Sequence, residues 1–575
     1  MFRSPRGLRS SEGRTDTADR QGEADDRTGA VLERGTQREG RSSNLGGPHF
    51  SSEKRPASAA QQARSIVRWV GVRASGEEQA HHEVSRMQGR PEQRKKGMRE
   101  SEGCIRAMKS ENGKAPGSGG AKAARVGSEP REGNASAAQT AEVALTGLPR
   151  IEELAKQNPS LRFYSLAHLI TVGALWCAFS RLRRNAAVGV DGVTVAQYEQ
   201  NLEGNLEALH ERMKAGTYRH QPIRRVHIPK EPGKTRPIGV SCVEDKVVQQ
   251  AVREVLEAIW EQVFHNCSHG FRPRRGAHDA LRALDRMAMR GEANWVLEAD
   301  IRSFFDNIDR KTLMEMLRKR VADERLLRLV GKCLHVGVLA GEEYSEPEVG
   351  TAQGSVLSPV LGNIYLHYVL DEWFEKEVRP RLGGKACLIR YADDFIIGFA
   401  RKEDAERVMR ILPQRMGKYG LTLHPTKTRL VPFEHPVKGQ PADRRSGAFD
   451  FLGFTVYWRR SLRGRWVLGM KTRKVRLRKA VQAIHEFCRS HRHEPMDDQH
   501  RGLRQRLQGH FNYFGVNGNS TALNRLAKAT NVAWHKWLNR RSQRRGMTWE
   551  RFNQLLLAYP LPKPKIRVQL WGATS

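Results

Sequence analysis

At 575 residues the chain has room for roughly three to four domains, which excludes a small disulfide-stapled scaffold or a lone binding module. Lys and Arg number 99 against 63 Asp and Glu, a formal net charge of +36 that is foreign to an ordinary metabolic enzyme and points to a polyanionic partner. Hydrophobic residues make up 38%, below the usual ~45–50%, so a polar segment dilutes a core-forming body.

That segment comes first. Residues 1–140 hold only 13 Leu, Ile, Val or Phe, too few to offset conformational entropy by burial, and are expected to be disordered. Their Arg- and Ser-rich start resembles a transit peptide. It also carries Glu12, Asp16, Asp19, Glu23, Asp25 and Asp26 and lacks the apolar block of a secretory signal, so the chain reads as untargeted. The longest apolar stretch, Leu166 to Phe179, falls short of the ~18 residues of a membrane span and reads as one buried helix. Val247, Val248, Ala251, Val252, Val255, Leu256, Ile259, Trp260 and Val263 recur at helical spacing, with Ser241 and Glu244 as a capping box.

Between 290 and 456, short β-type runs (295–300, 387–392, 395–400, 451–458) alternate with helical segments such as Arg310 to Arg320 and Lys402 to Tyr419, implying an α+β domain. The last 120 residues hold 26 Lys or Arg and 5 Asp or Glu, with 13 aromatics interleaved, the footprint of a nucleic-acid grip. No repeat of fixed period occurs, and seven scattered cysteines without a CxxC pair fit a reducing compartment.

The candidate chemistry is carboxylate chemistry. Asp393 and Asp394 fall between two apolar β runs, where adjacent ionised acids call for a cation. Asp300 ends the run 295–300, and a third carboxylate at a strand end beside such a hairpin is what two-metal phosphoryl transfer needs. Asp306 and Asp309 are rival acids that suit capping of the helix from Arg310 better. Gly233-Lys234-Thr235 mimics a phosphate loop, but Ile228 occupies the position of the required earlier Gly.

With these acids come blocks in a characteristic order: RRVHIPKEPGKTRPIGV at 224–240, HGFRPRRGAHDAL at 269–281, ADIRSFFDNID at 299–309, TAQGSVLSPVLGNIYLHYVLD at 351–371, RYADDF at 390–395, GLTLHPTKT at 420–428 and FDFLGF at 449–454. The set resembles the reverse transcriptases encoded by group II introns, firmly over 150–460 and more loosely beyond. The resemblance implies a right-hand polymerase of fingers (146–285) and palm (286–456), followed by an α-helical thumb, domain X (457–575). Asp300, Asp393 and Asp394 match the metal-binding triad for two Mg²⁺ ions, with the backbone carbonyl of Ile301 as an extra ligand. Lys230 and Arg236 match the clamp on the incoming triphosphate, and Gln353-Gly354 the turn at template and primer. Lys427 matches the lysine serving the departing pyrophosphate, and Gly189-Val190-Asp191-Gly192 an N-terminal finger block. Phe305 takes the place of the ring beneath the incoming sugar, with Phe304 packing into the palm.

The resemblance further implies RNA-directed DNA synthesis from dNTPs, maturase action on a parent intron RNA, and mobility into a DNA target. Such a protein would be cytoplasmic, in a nucleoid-associated ribonucleoprotein. Lys471, Arg473, Lys474, Arg540, Arg541, Arg544 and Arg545, with the stretch 508–515, are the candidate RNA contacts. Cys488, His491, His493 and His500 match no familiar zinc spacing. The HNH-endonuclease extension with paired cysteines found in many relatives is not expected, and residues 1–145 read as disordered or as non-native sequence ahead of a true start at Met98 or Met108. A domesticated retron-like or CRISPR-associated reverse transcriptase, or a non-catalytic RNA-binding splicing factor, are the rival readings. The intact acid triad argues against the last. Intron, DNA target, priming and the choice between monomer and homodimer stay open.

Overall fold

The computed structural model describes residues 147–570 except 232–233, 341–342, 346–349, 352, 437–446, 462 and 543–545. The N-terminal extension, Arg544 and Arg545 lie outside the described residues. The described residues begin with a helix across 147–157, then α1 (Val172–Ser180), α2 (Val195–Glu199), α3 (Leu202–Lys214), the hairpin β1 (Ile223–Glu231) and β2 (Lys234–Val240), and α4 (Val243–Trp260). Next come α5 (Ala277–Met289), β3 (Trp295–Asp300), α6 (Arg310–Arg318), α7 (Glu324–Leu334), β4 (Val338–Ala340), β5 (Glu343–Ser345) and α8 (Ser358–Leu366). They lead into β6 (Ala386–Tyr391), β7 (Asp394–Phe399), α9 (Lys402–Gly417), β8 (Arg429–Pro432), β9 (Phe449–Phe451), β10 (Phe454–Arg460) and β11 (Trp466–Thr472). Four helices close the chain: α10 (Lys474–Ser490), α11 (Met496–Phe514), α12 (Ser520–Leu538) and α13 (Trp549–Ala558).

The central sheet has the order β6-β7-β3-β8 and is antiparallel throughout. Both of its faces are covered. Leu297, Ala299, Phe395, Ile397 and Phe399 join a large core with α4 and α8, while Val296, Ile389 and Ile396 join a second core with α5 and the sheet β11-β10-β9. Burial on both sides explains why these strands read as apolar runs rather than as alternating patterns. The last four helices enclose a third core around Phe487, Leu507, Trp534 and Phe552. The chain is therefore a mixed α+β protein. Among the described residues no helix is long and apolar enough to cross a membrane.

Several local expectations are corrected. Leu166 to Phe179 is a short 3₁₀ turn (Ala167–Leu169) followed by α1, because the Thr171 hydroxyl caps the new helix by accepting from the Ala174 amide. The capping box at α4 is not formed. Cys242 is the N-cap, Ser241 accepts from the Gln249 amide at 3.2 Å, and Glu244 makes a two-pronged pair with Arg212, so tertiary partners take both side chains. Asp309 does cap α6, accepting from the Thr312 amide, whereas Asp306 belongs to the 3₁₀ turn Phe304–Asp306. Strand structure persists past Trp458 through β11, and helices take over only at Lys474.

Candidate active site

Asp300 is the last residue of β3 and stands opposite Asp394, the first residue of β7. Directly opposed residues of an antiparallel pair hold their Cβ atoms about 4.5–5.5 Å apart, so strand register alone brings together two acids 94 positions apart in the chain. Asp393 follows Ala392 in the two-residue turn between β6 and β7, and Ala392 has φ +56°, a conformation uncommon for alanine. Burial, together with the charges of Asp393, Asp300 and Glu298, pushes the Asp394 carboxyl up to about 7, while the backbone N–H of Leu452 pulls the other way. A buried acid beside two others is a place where added positive charge would be stabilising.

The loop after α9 brings a cation to the rim. The His424 amide donates to the Asp300 carbonyl at 2.7 Å, Ile301 forms a bridge with Leu423, and the Lys427 ammonium lies 2.6 Å from the Asp300 carboxylate. Among the described residues no three His, Cys, Asp or Glu side chains form a complete metal cage. Mg²⁺ seldom asks for one: it is usually held by one or two carboxylates together with water and substrate phosphates, and this donor set fits that habit.

Beyond Asp300 the chain turns through Ser303 at φ +47°. Phe304 is buried, and Phe305, half-buried, meets it edge-on at 5.0 Å. Gly362 of α8 leaves room for both rings, since a Cβ there would come within 3.0 Å of Phe304 and 3.1 Å of Phe305. The Thr351 amide donates to the Phe305 carbonyl at 2.8 Å, and two residues later the Gln353 carbonyl accepts from the Gly239 amide of β2 at 2.7 Å. Gly354 has φ +117°, and a Cβ there would stand 2.5 Å from the Gly239 carbonyl oxygen. Only glycine fits so close an approach. Hydrogen bonds thus tie Phe305 to Thr351 and Gln353 to the strand bearing Arg236, with Gly354 packed closely on that strand. Arg236 is half-buried opposite Ile228, and the Lys230 side chain lies outside the described residues.

Comparison with known proteins agrees with this geometry. Residues 228–456 match the family model described as reverse transcriptase (RNA-dependent DNA polymerase). The chain is 37% identical over 222 residues to the group II intron-encoded protein LtrA of Lactococcus lactis subsp. cremoris, covering 38% of this chain and 37% of that one. It is 34% identical over 275 residues to protein YkfC of Escherichia coli (strain K12), covering 42% of this chain and 72% of that one. Nuclear intron maturase 1, mitochondrial, of Arabidopsis thaliana shares 33% identity over 91 residues, 16% of this chain and 12% of its own. The chain belongs to the group II intron-encoded reverse transcriptase family. It spans just over a third of the length of LtrA.

The candidate RNA contacts follow the acids in the chain. Lys471 covers the Tyr457 ring at 4.6 Å, Arg473 pairs with Asp450 at 2.9 Å, and both are exposed with Lys474 at the start of α10. Arg540 stacks over Trp537 at 5.3 Å just past α12, and Arg541 beside it reaches the Glu494 carbonyl at 3.4 Å. Cys488 is buried in the helical core, His491 packs on Phe487 and His500 bonds the Pro560 carbonyl. Sequence reasoning missed the Leu452 amide and Glu298, which is half-buried and paired with Arg429 at 2.8 Å. Glu298 had a signal, as the lone charge inside an apolar strand. A backbone donor has none.

Proposed function

We propose that this chain is an RNA-directed DNA polymerase that also serves as maturase for a group II intron and in the mobility of that intron. The single observation that carries the polymerase reading is the register pairing of Asp300 with Asp394 beside the turn holding Asp393. In this reading the three carboxylates and the Ile301 carbonyl hold two Mg²⁺ ions. Bound there, the cations would activate the primer 3′-hydroxyl and neutralise the departing pyrophosphate. The 3′-oxygen forms its bond to the α-phosphorus of a dNTP as the bond to pyrophosphate breaks. Lys230 and Arg236 bind the triphosphate, and Lys427, already at Asp300, follows the pyrophosphate. Gln353 and Gly354 hold the template–primer end, and Phe305 lies beneath the sugar. The helices from Lys474 onward act as the thumb, domain X, gripping intron RNA through Lys471, Arg473, Lys474, Arg540, Arg541, Arg544 and Arg545. Its partners are template and intron RNA, a DNA primer or target, and dNTPs, in a ribonucleoprotein.

Primer extension on an RNA template with dNTPs and Mg²⁺, run beside splicing of a group II intron RNA, tests both halves. Wild type should extend and promote splicing, and Asp394→Asn should lose extension. Extension by Asp394→Asn at the wild-type rate would overturn the assignment.

A further inference from the structure

Behind the turn that carries Asp393 and Asp394 lies a buried polar cluster to which the polymerase reading gives no role. Arg390, the next-to-last residue of β6, is wholly buried. Its Nε donates to one Asp371 carboxylate oxygen at 2.8 Å and its Nη2 to the other, with both side chains 0% exposed. Its Nη1 donates to Asn363 Oδ1 at 2.9 Å and to the carbonyl of Ala392 at 3.1 Å. Ala392 is the residue at φ +56° immediately before Asp393.

The other side of the turn is held as well. Asn363 Nδ2 donates to the Gly270 carbonyl at 2.8 Å, and a Cβ on Gly270 would stand 2.3 Å from the Ala392 nitrogen and 2.8 Å from the Tyr391 carbonyl carbon. The Arg390 amide donates to the Cys267 carbonyl and its carbonyl accepts from the His269 amide, so segment 267–270 is laced to β6. Three blocks distant in sequence converge here: HGF at 269–271, the segment from Asn363 to Asp371, and RYADD at 390–394.

The helix geometry is fitted to the cluster. Asn363 lies in α8 and Asp371 eight residues on; regular α-helical spacing would set them about 80° apart around the axis. The stretch His367–Asp371 is π-helical instead, and its wider turn lets both side chains meet one guanidinium. A buried ion pair contributes little net stability over apolar residues of the same shape, so stability alone gives no reason to build one here.

We propose that Arg390, fixed by Asp371 and Asn363, is a positioning residue for the catalytic turn: it holds the strained Ala392 carbonyl so that Asp393 and Asp394 present their carboxylates together. The inference rests on the reading of those acids as metal ligands. An Arg fork fixed at two edges can do this; a lysine cannot.

The test uses the full chain and four variants: Asn363→Ala, Gly270→Ala, Arg390→Lys, and the double variant Arg390→Met/Asp371→Leu, which leaves no lone buried charge. Three quantities are measured: thermal unfolding, single-nucleotide primer extension resolved into kcat and KM for dNTP, and Mn²⁺ affinity by electron paramagnetic resonance. Folded variants should lose about 10²-fold in kcat with KM for dNTP nearly unchanged. Mn²⁺ affinity should fall about 10-fold. If the double variant does not fold, Asn363→Ala and Gly270→Ala carry the same expectation. Folded variants with wild-type kcat and wild-type Mn²⁺ affinity would overturn the proposal. Should wild type itself fail to extend a primer, the polymerase reading fails, while Mn²⁺ affinity still decides for or against the cradle.

Discussion

The central sheet and the four C-terminal helices handle charge in opposite ways. At the end of β3 and β7 a few acids are crowded together in a geometry set by strand register, and burial together with its neighbours' charges pushes the Asp394 carboxyl up to about 7. Beyond Trp458 the cations are many, and Lys471, Arg473 and Arg540 are exposed, each resting on an aromatic ring or a single acid. A desolvated charge is strongly coupled to its neighbours, so one substitution can remove a function. Exposed charges are screened and nearly additive, so function there declines by degrees.

The sharpest way to break the contrast is Asp393→Asn or Asp394→Asn. Either should lower DNA synthesis by about 10³-fold, while filter binding of intron RNA stays within a few-fold of wild type. Parallel loss of binding would show that the two regions are not separable.

Next in size is the pair of neighbouring rings. Phe305→Ala should raise ribonucleotide incorporation relative to deoxyribonucleotide by about 10- to 200-fold, since the cavity would admit a 2′-hydroxyl. Phe304→Ala should instead cost ~3–5 kcal/mol of stability, because its ring is buried against Phe305 and Tyr365. Single-nucleotide kinetics and chemical denaturation check the two. Unchanged sugar discrimination in a folded Phe305→Ala protein would remove that residue from the site.

In the helical region the expected effects are smaller and cumulative. Arg540→Gln and Arg541→Gln should each reduce the slope of log affinity against log salt by about 1. Generic primer extension should suffer less than splicing. Equal losses would assign these arginines to the polymerase channel.

The smallest effect concerns a buried acid outside the catalytic sheet. Asp245 of α4 accepts from Tyr218 Oη at 2.7 Å and from the Gln221 amide, with His220 Nδ1 at 3.5 Å, and burial pushes its carboxyl up to about 7 from 3.8. The fold favours the protonated form, so its contribution to stability is full below about pH 4 and is lost as pH rises through about 7. Melting temperatures should therefore show wild type losing ground to Asp245→Asn between pH 5 and pH 8. A constant difference would mean that this carboxyl titrates normally.

The acids were legible because each stands out from an apolar background: Asp300 ends an apolar run and Asp393-Asp394 interrupts one. The helix around Val247 to Trp260 was legible for the same reason, its periodic residues being those that are buried. Ser241 and Glu244 misled, because a capping pattern describes what a local segment can do, and here Gln249 and Arg212 offered better partners. Leu166 to Phe179 misled because Thr171 was weighed only as an interruption of a membrane span, whereas its hydroxyl caps a new helix.

By itself the sequence determined which residue types are available and which segments bury a face, since periodicity and apolar runs are local properties of the chain. It also determined the excess of cations over the last 120 residues. Only the tertiary structure decided that Asp300 faces Asp394, that the Leu452 amide reaches the same carboxyl, and that Gly270, Asn363 and Arg390 close around Ala392. Those contacts join segments far apart in the chain, and their geometry is set by strand register and close packing, which no single segment contains.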